Sequence, residues 1–157
     1  MSTEKEVRAA AYALLARRDH SLAELKRRLL ARGHDPAAVG GVLAALVEEG
    51  VLNEERLAES VVRRGLRRGR GPRRLEAELL ARGLEAASAR KRIAALCEEG
   101  VDWLQRAEEA VHRLKRRPGE TKEAFRARIA RHLERQGFPS SVIARVLELE
   151  PAEPDEA

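Results

Sequence analysis

Aromatic side chains are nearly missing from this 157-residue chain: Tyr12, Trp103, Phe125 and Phe138 make up 3% of it. A core must therefore be built from Leu, Val, Ile and Ala. A groove that stacks single-stranded bases is not expected, because such grooves interleave aromatics with basic residues. Tyr12 and Trp103 are expected to pack in or between cores. Cysteine is scarcer still. Cys97 stands alone, so no internal disulfide can form, and a reducing, cytoplasmic compartment is expected. Beside Ile93 and Leu96 it reads as a small core residue. The opening MSTEKEVRAA lacks the apolar run of a signal peptide. No stretch approaches the roughly 18 apolar residues of a membrane span, so no membrane partner is expected. His20, His34, His112 and His132 are scattered, and one cysteine cannot build a zinc site, so neither metal nor cofactor is expected. A G-x-x-x-x-G-K-[ST] loop is absent. With no catalytic constellation, the chain reads as a non-enzyme.

The chain is rich in charge and in helix formers. Charged residues reach 36% and apolar ones 43%, with Ala, Leu, Arg and Glu prominent, which points to an all-α fold. The net charge of +5 is unevenly spread. The last ten residues hold five acids and no base, so the remainder carries about +10. A basic body favours polyanionic or acidic partners.

Internal repetition sets the architecture. Leu29-Leu30-Ala31-Arg32-Gly33 recurs as Leu79-Leu80-Ala81-Arg82-Gly83, and more loosely as Leu133-Glu134-Arg135-Gln136-Gly137. Such a period suggests one supersecondary unit used several times. Helical spacing gives three tandem three-helix repeats, at 1–50, 51–100 and 101–149, with a disordered acidic tail at 150–157. In the first, Val7, Ala11 and Leu14 mark one helix. Ser21 and Glu24 then form a capping box for a second, with Leu22, Leu25 and Leu29 inward. Asp35-Pro36 opens a third carrying Val39, Val42, Leu43, Leu46 and Val47. Asn53, Pro72 and Thr121 start later helices, and Leu104, Ala107, Val111 and Leu114 mark the seventh. Gly33 and Gly83 end helices as left-handed residues. Stacked end to end, the repeats would form an elongated, curved molecule suited to lying along a partner.

Arginine supplies the candidate site. Arg63, Arg64, Arg67, Arg68, Arg70, Arg73 and Arg74 lie within twelve residues with no acid among them. Guanidinium groups grip carboxylates and phosphates bidentately. The helix that opens at Pro72 is also expected to offer free N–H groups to an anion. A second basic stretch, Arg113, Lys115, Arg116 and Arg117, runs into a Pro118-Gly119 turn.

Several local patterns coincide. They are Arg18-Asp19-His20-Ser21 leading to Glu24-Leu25, Gly50 to Ala58 around Asn53-Glu54-Glu55-Arg56, Gly69-Arg70-Gly71-Pro72 with Leu75, Glu78-Leu79 and Arg82-Gly83, and Asp102-Trp103. In order and spacing the chain resembles the RecX family of bacterial recombination regulators over about residues 7–149. Position 57, often aromatic there, is Leu57 here. The resemblance implies three three-helix repeats and a monomeric protein without enzymatic activity. Its partners would be the RecA nucleoprotein filament, bound in its groove with bridging of RecA subunits, and single- or double-stranded DNA. It would inhibit or modulate recombinase, ATPase and co-protease activity in DNA recombination, repair and the SOS response. The two basic stretches are then the expected RecA- and DNA-binding residues. The alternative is a helix-turn-helix-like DNA-binding protein that acts without RecA.

Overall fold

The computed structural model describes residues 3–149, so the acidic tail expected at 150–157 lies outside the described residues. Among the described residues the chain is all helix and turn. Its helices are α1 (Glu4–Arg17), α2 (Leu22–Ala31), α3 (Pro36–Glu48), α4 (Glu54–Arg67), α5 (Pro72–Ala81), α6 (Ala86–Glu98), α7 (Trp103–His112), α8 (Lys122–Gln136) and α9 (Ser140–Leu149). The repeat is regular: α4, α5 and α6 are the spans of α1, α2 and α3 displaced by 50 residues.

Local chemistry fixes the helix ends. Thr3, Ser21, Asp35, Asp102 and Thr121 each accept a hydrogen bond from a backbone N–H in the first turn that follows. Ser21 and Glu24 complete a capping box, and Pro36 occupies the first helical position after Asp35. At the C-terminal ends, Gly33, Gly83 and Gly137 take positive φ of 85°, 93° and 94°. This left-handed conformation costs an L-residue about 1–2 kcal/mol, and glycine avoids the cost.

Two compact units divide the chain, and their boundaries do not follow the repeats. One holds the described residues up to Arg63 together with Glu78–Arg90. The other holds Arg64–Ala77 and the described residues from Lys91. In the first, Val7, Ala11 and Leu14 of α1, Leu25 and Leu29 of α2, and Val39, Val42, Leu43 and Leu46 of α3 form an aliphatic core. In the second, Ala107 and Val111 of α7, Ile129 and Leu133 of α8, Phe138 of the turn before α9 and Val146 of α9 do so. Phe138 is the largest fully buried side chain, and Trp103 meets it edge-on at 6.4 Å. Trp103 thus packs as expected.

Several expected core positions face solvent instead. Val47 is 50% exposed, and Cys97, its counterpart 50 residues on, is exposed too. Leu46 and Leu96, one residue earlier, are buried. Successive helical residues lie about 100° apart, so this one step carries both side chains past the covered stripe. Leu22 is 41% exposed because the buried side of the first turn of α2 belongs to the polar pair Ser21 and Glu24. Tyr12 is 42% exposed and lies under the Arg8 guanidinium, 5.6 Å from its ring centre, not in a core. Leu114 packs against the second core but lies beyond the end of α7.

The two equivalent glycines provide a test of packing at a fixed repeat position. A Cβ at Gly33 meets nothing within 4 Å, whereas one at Gly83 lies 2.7 Å from the Ser21 Oγ. At Gly137 it would lie 2.4 Å from the Arg74 backbone nitrogen. Gly33→Ala is expected to cost about 1–2 kcal/mol in urea unfolding, the conformational cost alone. Gly83→Ala and Gly137→Ala are each expected to cost roughly 1–3 kcal/mol more, from overpacking. Equal costs at all three positions would contradict this packing.

Candidate functional site

The arginines divide into those that hold the structure and those that face outward. In the first unit the holding set gathers round Glu24, which is buried at 5% exposure. Its carboxylate accepts from the Ser21 N–H at 3.2 Å, from Arg82 Nε at 3.0 Å and from Arg18 at 3.3 Å. Burial works to raise the Glu24 pKa, but the Ser21 N–H and the two guanidiniums outweigh it and hold the carboxyl below its ordinary value. Arg82 also donates to the Asp19 carbonyl at 2.8 Å, and Arg56 donates twice to the Asp19 carboxylate. The N–H of Leu22 donates to Glu54 at 2.8 Å, an anion placed at the positive end of α2.

His20 is buried beside this network. A carbonyl can only accept, so its Nδ1 must carry the proton donated to the Arg18 carbonyl at 2.9 Å. Its Nε2 has no partner among the described residues. Burial holds its pKa below the usual histidine value, against the pull of that carbonyl. The patterns Arg18-Asp19-His20-Ser21, Asn53 to Arg56 and Arg82-Gly83 therefore meet in one polar network that fastens the start of α4 and the end of α5 to the start of α2. Their visible role is structural.

The Gly69-Arg70-Gly71-Pro72 turn has a comparable task in the second unit. Gly71 N–H donates to the Gln136 carbonyl at 2.6 Å and Arg73 N–H to the Gly137 carbonyl at 2.9 Å. Arg74 donates to the Arg135 carbonyl at 3.2 Å. A Cβ on Gly71 would lie 2.6 Å from the Gly137 carbonyl carbon, so this approach of two chains requires glycine. The expectation of free N–H groups for an anion at the start of α5 is corrected by these bonds. Pro72 has no N–H, and its two neighbours already donate to backbone carbonyls. Nearby, Arg106 donates to the Leu66 carbonyl at the end of α4.

The outward set lies on α4 and α5. Arg63, Arg64 and Arg67 on the last turns of α4, Arg68 in the turn and Arg73 on α5 are all exposed. Among the described residues none of these five has a carboxylate partner. Arg70 and Arg74 are half-buried and engaged in contacts of their own. Of the seven arginines read from the sequence, five are thus presented to solvent.

The second basic stretch forms a loop folded round Glu120. That carboxylate accepts from Arg128 at 2.9 and 3.0 Å and from the Arg117 N–H at 3.1 Å. Arg116 Nε donates to the Glu120 carbonyl at 2.8 Å, and Arg128 donates to the Lys115 carbonyl at 2.7 Å. The hydrogen bonds from Arg128, then that from Arg117, bring the Glu120 pKa down to about 2. The side chains of Arg113, Lys115, Arg116 and Arg117 are exposed on this loop. Sequence reading found these cations but not Glu120 and Arg128, which shape the loop. Glu120 lies in the loop before α8 and Arg128 within it, so their 8-residue separation is no helical pattern. Among the described residues, no group of three or more His, Cys, Asp or Glu could hold a metal ion, and no helix is long and apolar enough to cross a membrane.

Three domain models of one family match the chain in order. The RecX first three-helix domain matches residues 8–46, the second 53–91 and the third 101–147. The chain belongs to the RecX family. The Regulatory protein RecX of Halorhodospira halophila is 52% identical over 71 residues, 45% of this chain and 44% of that protein. The Regulatory protein RecX of Chromohalobacter salexigens is 49% identical over 72 residues, 45% of this chain and 47% of that protein. The match thus spans less than half the length of these curated relatives. The crystal structure of RecX from Lactobacillus salivarius superposes with a TM-score of 0.81 at 17% identity. It covers 92% of this chain and 94% of that one, and shows that the two share a fold.

The Glu120 loop of this RecX chain has a measurable signature. Its carboxyl is expected to titrate near 2, whereas in the unfolded chain it has the ordinary value near 4.5. A depressed folded pKa means that the loop's stabilisation is complete above about 4.5 and is lost as pH falls toward 2. Carboxyl NMR titration should show this midpoint, and Arg128→Ala should return it toward the ordinary glutamate range. An Arg128→Ala midpoint that stays near 2 would contradict the assignment.

Proposed function

We propose that this RecX chain is a non-enzymatic regulator that docks on the RecA–DNA filament and restrains its recombinase, ATPase and co-protease activity. The row of exposed arginines Arg63, Arg64, Arg67, Arg68 and Arg73 carries this reading. A protein body would ordinarily balance such a row with acids, and here they stay unbalanced among the described residues. A protein filament on DNA offers both of the groups a guanidinium fork binds best, carboxylate and phosphate. The loop of Arg113, Lys115, Arg116 and Arg117 provides a second contact of the same sign. Contacts at two places would let one molecule bridge neighbouring RecA subunits, so that a few molecules restrain many. No covalent step is required, and the work is binding alone.

The same arginines also suit phosphate by itself, which keeps a DNA-binding protein acting without RecA as the second reading. Salt separates the two. Each phosphate contact contributes about 0.9 to the slope of log affinity against log salt. Binding to duplex DNA with such a slope, and no effect on RecA, would favour that reading.

The test is RecA-dependent ATP hydrolysis on single-stranded DNA with this protein titrated in. The variant Arg67→Gln, Arg68→Gln, Arg73→Gln removes three exposed contacts worth roughly 0.5–1 kcal/mol each. Half-inhibition is then expected at about 10- to 100-fold more protein, with the urea midpoint unchanged. Inhibition undiminished by the triple substitution would remove these arginines from the interface, and no inhibition by the unaltered chain would overturn the reading itself.

A further inference from the structure

A groove of about 330 Å³ opens in the second unit, where the ends of α7 and α9 meet the start of α8. Val111 and Val146 lie buried at its floor, and Leu114, Phe125 and Leu149 complete its apolar lining. Arg116, Lys122 and Arg126 stand round these side chains with His112, and Glu108 is the one acid in the lining among the described residues.

The positive charge round the groove exceeds what its own acid can balance. Glu120, the acid of the adjoining loop, is already bound by Arg128 and by the Arg117 N–H. Arg126 donates to the Leu147 carbonyl at 2.9 Å, at the negative end of α9. Arg116 donates to the Glu120 carbonyl at 2.8 Å. These two guanidiniums are thus oriented in advance, and a ligand does not have to order them. Size sets the rest. Ligand sites run from roughly 300 to 1,000 Å³, so this one takes an anchoring side chain and not a whole helix face. A nucleic acid fits it less well. Phosphates match the cations, but only a stacked base would use the apolar floor, and the Arg128 guanidinium already lies over the Phe125 ring at 5.1 Å.

We propose that this groove docks a short acidic segment of a partner protein. An apolar side chain such as leucine enters between Val111, Leu114 and Phe125, and carboxylates on either side of it meet Arg116, Lys122 and Arg126. The buried anchor supplies affinity, and the cations select for acidic neighbours. The third repeat then has a protein ligand of its own, read by side chains outside the α4–α5 arginine row. No step depends on the RecA reading. That reading is tested by ATP hydrolysis and this one without RecA, so either can fail alone.

The test titrates the full, isotope-labelled chain with a short synthetic peptide in which two leucines stand among glutamates, read by amide NMR. Saturable shifts are expected at Val111, Leu114, Lys122 and Phe125, with the Arg64 and Arg67 amides unmoved. Serine in place of both leucines should weaken binding by about 10- to 100-fold, through loss of the buried anchor. Lys122 is exposed in the first turn of α8, where an acid suits the helix. Lys122→Glu should therefore weaken binding roughly 3- to 10-fold without lowering the urea midpoint. Shifts that are absent, that appear equally at Arg64 and Arg67, or that survive the serine exchange would overturn the docking site. An oligothymidylate that moves the same amides as strongly would do so too, since the ligand would then be phosphate.

Discussion

A buried carboxylate must be paired, and Glu24 is the one on which the first unit depends. Nearly enclosed, it would carry a desolvation cost of several kcal/mol without partners. The Ser21 N–H, Arg18 and Arg82 provide them. Arg82 lies 58 residues away on the second repeat, so satisfying Glu24 fixes the end of α5 against the start of α2. The neighbouring position must then be small, and Gly83 fills it over Ser21. Glu120 plays the corresponding part for the basic loop of the second unit, with Arg128 as its partner. Acids engaged in this way are withdrawn from general charge balance. The consequence is a chain in which half-buried arginines such as Arg82 and Arg128 bind its own carboxylates and carbonyls, while Arg63, Arg64, Arg67, Arg68 and Arg73 remain outward.

That division explains what could be read from the sequence. Helix starts were legible because Ser21, Asp35 and Thr121 act on the N–H groups three residues ahead, and Gly33 and Gly83 were legible because their conformation is local. The 50-residue repeat was legible because equivalent cores need equivalent side chains, as Leu25 and Leu75 or Leu29 and Leu79 show. What failed was the edge of each apolar stripe. Val47 and Cys97 differ from buried neighbours only by one helical step, and hydrophobicity alone does not say where coverage stops. The long-range polar bonds were also hidden. Nothing local tells Arg82, which bonds Glu24, from Arg73, which stays outside. Nor does the Gly71-Pro72 turn announce that the Gly71 and Arg73 N–H groups donate to the Gln136 and Gly137 carbonyls.

The motifs that carry the family resemblance are thus mostly fasteners, and the proposed interface lies beside them on positions with less local structure to keep. The proposed binding role needs this arrangement. Polar joints give a fixed presentation of the outward arginines, and their own partners keep them from competing for the same ligands.

The joint itself is tested most directly by a double-mutant cycle in urea unfolding on Glu24→Gln and Arg82→Gln. A charge-assisted hydrogen bond in this half-buried setting predicts a coupling of about 1.5–3 kcal/mol between the two positions. Costs that simply add, within about 0.5 kcal/mol, would contradict a structure fastened through Glu24.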